Sequence, residues 1–180
     1  MTRRITAAMI LIALTSVVGT WLFSVTPKSF RGPGSSIGFG APKESLDFTL
    51  PEASSGKQLN FFQWADGKPV LLIFWATWCP TCVSEVPKLI ELESEAKASG
   101  LFKILAVHVG QSEVSLDEFM NRQGIDYQVV WDQESKVASE YGVVGLPVAV
   151  MLDRAGKILY YGYSLPDLGE LIDRLGRKVV

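Results

Sequence analysis

The run Lys68–Ala76, KPVLLIFWA, constrains the fold more than any other part of this 180-residue chain. Every residue from Val70 to Ala76 is apolar, so neither face of the segment is left for water. Successive side chains of a strand point to opposite faces. A strand that is apolar on both faces is covered on both, which places it at the centre of a sheet with layers packed above and below. The run Phe102–Gly110, FKILAVHVG, reads as a second strand of this kind.

The segments around these two strands supply the covering layers. Pro80 to Ser99 reads as a helix stopped by Gly100, a favourable residue just past a helix end. Ser115 and Glu118 have capping-box spacing, and the helix they open closes at Gly124. Tyr127–Asp132 is a short strand and Ser135–Gly142 a short helix. Pro147–Gly162 reads as a hairpin turning on Asp153–Gly156. Leu165–Gly176 is a terminal helix with Leu168, Leu171, Ile172 and Leu175 on one face. Ahead of the central strand, Leu46–Leu50 and Lys57–Phe62 alternate around PEASSG and read as a short hairpin. The alternation of strands and helices implies an α/β sandwich with a mixed central sheet.

The amino-terminal part is of another kind. From Ile5 to Val25 there is no charged residue. At about 1.5 Å per residue this run makes a helix of roughly 31 Å, enough to cross a bilayer core. It is longer than the apolar core of a cleaved signal peptide, and GTWLFSVTPKSF after it offers no A-x-A site. No cysteine follows it closely, which argues against a lipid anchor. Residues 1–26 are therefore expected to be an uncleaved signal-anchor, with Trp21 near its outer end. Arg3, Arg4 and the free amino terminus precede the span, against Lys28 and Arg31 after it; this balance directs the amino end to the cytoplasm and the domain outward. Residues 27–40, rich in Gly, Pro and Ser, read as a flexible tether, and residues 41–180 as the folded domain. With 17 basic and 19 acidic residues the chain has no basic field for nucleic acid.

The chain contains two cysteines, Cys79 and Cys82, directly after the central strand. A zinc site commonly needs four ligands, and there is one Cys pair and one histidine, His108. His108 lies in an apolar run and reads as a strand-end histidine with a local partner. Copper held by Cys79, Cys82 and His108 is the alternative, since soft thiolates suit Cu(I). A structural disulfide closing so short a loop stabilises little. The position favours a redox pair. The first turn of a helix presents free N–H groups and partial positive charge, which lower the pKa of a thiol placed there. Cys82, one turn on, can resolve a mixed disulfide formed at Cys79. Pro80 suits a helix start, where its missing N–H is no loss. Trp75 and Trp78 precede the pair and would pack around the site, and Pro87 is expected to kink the helix that follows.

FWATWCPTC, the later GLP before an apolar strand, and the lead-in AP…DFTLP…GKPVLL together resemble the membrane-anchored thioredoxin-like proteins of the TlpA/ResA/CcmG group. The resemblance covers the chain from about Ala41 onward, plus the anchor. It implies a thioredoxin-like fold and a thiol–disulfide oxidoreductase with Cys79 as the exposed nucleophile and Cys82 as the buried resolving thiol. It implies a cis Pro147 facing the cysteines, with Leu146 and Trp78 meeting the substrate polypeptide. The pattern CxxCxxExP places Glu85 beside the thiols as the proton-transfer group. Cytoplasmic thioredoxins instead have a buried Asp on the preceding strand, where this chain has Ile73. No dissociable cofactor and no metal are implied, because the dithiol itself carries two electrons.

The implied setting is the bacterial cytoplasmic membrane, with the domain facing the periplasm or cell exterior. Its partners there are protein thiols or disulfides and a membrane electron donor. The intervening Pro80–Thr81 resembles the cytochrome c maturation branch and favours a reductase, although Val148 stands where that branch commonly has an acid. The peroxide-reducing relatives carry a Pro/Thr/Cys loop and an Arg that do not surround Cys79. A non-catalytic metal- or partner-binding module is the second class.

Overall fold

A computed structural model describes residues 42 and 44–176. The expected anchor and tether, residues 1–26 and 27–40, lie outside the described residues. No helix among the described residues is long and apolar enough to cross a membrane.

A two-stranded hairpin, β1 (Thr49–Pro51) and β2 (Gln58–Asn60), precedes α1 (Phe61–Ala65). The five-stranded sheet comprises β3 (Val70–Trp75), β4 (Lys103–Val109), β5 (Gln128–Asp132), β6 (Val148–Leu152) and β7 (Ile158–Gly162) in the order β5-β4-β3-β6-β7. β3, β4 and β5 run parallel, while β6 and β7 pair antiparallel, so the sheet is mixed as the sequence implies. The helices are α2 (Pro80–Ser84), α3 (Val86–Ser99), α4 (Leu116–Gln123), α5 (Lys136–Glu140) and α6 (Leu168–Gly176).

The alternation along β3 divides the core in two. Leu71, Ile73 and Trp75 face one cluster with Cys79, Cys82, Val86, Leu89, Phe119, Met120 and Leu171. Val70, Leu72 and Phe74 face the other, with Phe48, Leu59, Phe61, Val137 and Tyr141. The sheet grows in one direction from β3 through β4 to β5. Right-handed crossovers then carry α3 and α4 to the same face. α5 lies on the opposite face, between β5 and the antiparallel return at β6.

Two sequence expectations change at element ends. The second arm of the first hairpin stops at Asn60 instead of Phe62. Asn60 accepts the Gln63 N–H at 3.0 Å as a helix cap, and Phe61 stacks on Phe48 with ring centroids 4.8 Å apart. The expected helix over 80–99 is two helices meeting at Glu85. Pro87 has no N–H to give to Val83, and the Glu85 N–H turns instead to the carbonyl of Cys82 at 3.2 Å. On α6, Leu171 is fully buried and Leu168 and Leu175 pack on the core, but Ile172 is exposed.

The chain enters this unit along the far end of the sheet. Glu44 bridges to Lys157, and the Ser45 N–H donates to the Gly156 carbonyl at 2.7 Å. Gly156 sits at φ 78° against the Ser45 side chain, so both the backbone and the lack of space demand glycine there. The Tyr141 hydroxyl accepts the Leu46 N–H at 3.1 Å and donates to the Leu46 carbonyl at 3.2 Å.

Candidate active site

β3 delivers the chain to the site, and the next four residues turn it. Ala76 O accepts the Cys79 N–H at 3.2 Å, with Thr77 and Trp78 between them. Cys79 is the N-cap of α2 in extended conformation (φ −97°, ψ 105°), and Pro80 is the first helical residue. Cys79 and Cys82 form a disulfide, their Cα atoms 5.3 Å apart. The Cys79 Sγ accepts the Cys82 N–H at 3.2 Å, so the helix start already directs a donor at that sulfur. Cys79 is far less open than the resemblance implies. It retains 6% of its surface against 2% for Cys82, so both sit at the edge of the core.

The other expected residues gather unevenly. The Leu146–Pro147 bond is cis. The β3–β6 register pairs Phe74 with Val148, which carries Pro147 to the level of Trp75, just ahead of the motif. Leu146 packs against both core clusters, including the one that holds the cysteines. Trp78 projects outward, 60% exposed, while Trp75 is core. Ile73 is buried on the cysteine side of the sheet and supplies no acid there.

Glu85 falls at the break between α2 and α3 and is half-buried. Burial raises its carboxyl above the ordinary range, opposed by a hydrogen bond from the Leu165 backbone and by the Lys88 charge. Lys88 Nζ donates to Leu165 O at 3.1 Å and to Asp167 Oδ1 at 3.0 Å, closing the loop before α6 over this side of α3. A carboxyl whose pKa burial raises, one helical turn from Cys82, suits proton exchange.

His108 is the residue whose role the sequence understates. It is wholly buried, and its Nε2 accepts the Thr77 N–H at 3.1 Å. Burial lowers its pKa to about 4, against a smaller opposing pull from the Gly110 backbone. That nitrogen is thus engaged with the turn. Among the described residues no three His, Cys, Asp or Glu side chains group to hold a metal ion. Thr77, the Leu165 loop and the exposed Val144 and Tyr163 also escape sequence reading. They depend on long-range contacts, and the one local clue was a lone histidine in an apolar strand.

A buried strand, a cysteine-capped helix, a disulfide and a neighbouring cis-proline define a thioredoxin-like domain with a CxxC site. The family model described as Redoxin matches residues 41–167, and the chain belongs to the Redoxin family. It is similar to the thiol-disulfide oxidoreductase ResA of Bacillus subtilis (strain 168), 32% identical over 151 residues, 83% of this chain and 79% of that protein. The ResA of Geobacillus thermodenitrificans is 38% identical over 92 residues, 51% of this chain and 52% of the relative. Matches to several ResA proteins thus span about half to two-thirds of their length. Among solved structures, a putative thioredoxin from Neisseria meningitidis superposes with a TM-score of 0.64 at 30% identity, covering 77% of this chain and 92% of that one. A putative DsbE-type thiol:disulfide interchange protein from Chlorobium tepidum shares the fold, with a TM-score of 0.64 at 23% identity over 78% of this chain and 98% of that one. The resemblance to the TlpA/ResA/CcmG group is borne out at the level of family and fold.

Proposed function

We propose that this chain is a membrane-tethered, outward-facing thiol–disulfide oxidoreductase that acts on protein disulfides, working as a reductase. The observation that carries the reading is the Cys79–Cys82 disulfide at the start of α2 beside the cis Leu146–Pro147 bond. The similarity to ResA proteins, named for thiol–disulfide oxidoreduction, supports it. The uncharged run Ile5–Val25 supports the tether.

The reaction starts from the reduced pair. The Cys79 thiolate, facing the N–H of Cys82, attacks one sulfur of the substrate disulfide. A Cys79–substrate disulfide forms and the other substrate sulfur leaves as thiolate. Cys82 gives its proton to Glu85 and attacks Cys79 Sγ, releasing the second substrate thiol. Two electrons pass to the substrate, and the chain is left as the Cys79–Cys82 disulfide seen in the structure. Leu146 and Trp78 offer the substrate a backbone edge and an exposed aromatic surface. A membrane electron donor returns the pair to the dithiol. Assembly of cysteine-bearing proteins such as apocytochrome c is the setting this chemistry serves.

A Cys82→Ala chain expressed in intact cells tests the reading, because it stalls at the mixed disulfide. Reductant-sensitive adducts through Cys79 with extracytoplasmic proteins are expected. Adducts only with cytoplasmic proteins would overturn the placement, and no covalent adduct would overturn the mechanism.

A further inference from the structure

The turn that carries Cys79 is held from outside the motif. The β3–β4 ladder ends where Trp75 pairs with His108, so the Thr77 N–H lies beyond it. The His108 ring replaces the missing strand by accepting that N–H on Nε2. The ring has little freedom to swing away. Trp75 meets it nearly edge-on at 5.5 Å and Trp131 at 6.4 Å. Trp131 is itself tied to Gly110 O by its indole N–H at 2.7 Å.

The groups around the ring bear on its protonation. Ser112 Oγ donates to Val114 O at 2.7 Å, so it accepts from Thr77 Oγ1, 3.1 Å away. The Thr77 hydroxyl also lies 3.3 Å from Nε2, but the backbone N–H, at 3.1 Å, can only donate, so Nε2 accepts. The ring is therefore neutral, bare at Nε2 and protonated at Nδ1.

We infer that His108 is a positioning residue for the Cys79–Cys82 pair, fixing through the Thr77 N–H the turn that sets Cys79 Sγ against the Cys82 N–H at the start of α2. The inference rests on the thiol–disulfide reading, but it concerns the reactivity of the pair itself. A hydrogen bond weakens steeply when its angle opens. A loosened turn moves Sγ off the Cys82 N–H, and the thiolate loses the donor that lowers its pKa.

The test follows alkylation of Cys79 by iodoacetamide across pH in the reduced full-length chain, with the modified residue identified by mass spectrometry. His108→Phe keeps a ring without an acceptor. His108→Gln places an amide oxygen at the same reach from the backbone as Nε2. The Phe variant is expected to move the alkylation midpoint up by about half a pH unit or more, roughly a threefold loss of thiolate on the acid side. The Gln variant is expected to keep the wild-type midpoint. An unmoved midpoint in the Phe variant, or equal shifts in both, would overturn the inference. If the Phe variant does not fold, the ring nitrogens of this single histidine decide in the wild type by 15N NMR. A bare Nε2 supports the inference, and an Nε2–H tautomer overturns it. Failure of the wild type to exchange with any protein disulfide would count against the functional reading alone, because these readouts need no protein substrate.

Discussion

Acid should unfold this protein through a single buried imidazole. His108 titrates near pH 6.5 when exposed in an unfolded chain and at about 4 in the fold. Between those values the unfolded state holds a proton that the fold refuses, so stability falls as pH falls. At about 1.36 kcal/mol per unit, the loss is about 2 kcal/mol by pH 5 and levels off near 3 kcal/mol around pH 4. Glu85 and Glu93 act with the opposite sign. Burial raises both carboxyls, so the fold takes their protons before the unfolded chain does. A comparison with His108→Gln cancels those groups, because the variant keeps them and loses only the titrating ring. Urea unfolding of the oxidised chain at pH 7.5 and pH 5 measures both proteins by midpoint and slope. The wild type should lose about 2 kcal/mol more than the variant over that interval. Parallel losses, differing by less than about 0.5 kcal/mol, would refute a neutral buried His108.

Two further substitutions probe separate parts of the structure. Glu85→Gln should slow resolution of the mixed disulfide by about 10²-fold at pH 7 while leaving Cys79 alkylation unchanged; quenched-flow trapping measures this, and a change within twofold would leave Glu85 a solvated helix residue. Tyr141→Phe leaves both backbone groups of Leu46 without their partner and should cost about 1–2 kcal/mol, read as a lower thermal midpoint with the Cys79–Cys82 chemistry intact.

The layered sheet and the cysteine-capped helix were legible because they depend on local pattern. Val70–Ala76 is apolar at every position, and Cys79-Pro80 marks a helix start whatever surrounds it. Pro87 announced a break, though not that it would fall at Glu85 and turn that residue toward Leu165. The end of β2 was misread because Phe61 and Phe62 suit a strand as well as a helix. Phe48, distant in sequence, decides between them by stacking on Phe61. The His108–Thr77 bond joins positions 31 residues apart, and only the parallel register of β3 and β4 brings them together. The cis Leu146–Pro147 bond was expected from family resemblance and from no local preference.

The entry of the chain along Glu44–Leu46 has a mechanical consequence. Its bonds to Gly156 and Lys157 lie at the end of the sheet where Val70 pairs with Leu152, while Tyr141, which holds Leu46, packs its ring on Phe74 at 5.3 Å. The disulfide lies past Trp75, about 17 Å along the same strand at ~3.3 Å per residue. A pull on Glu44–Leu46 is therefore shared between the β6–β7 turn, remote from the disulfide, and Tyr141, which bears on the strand that leads to Cys79.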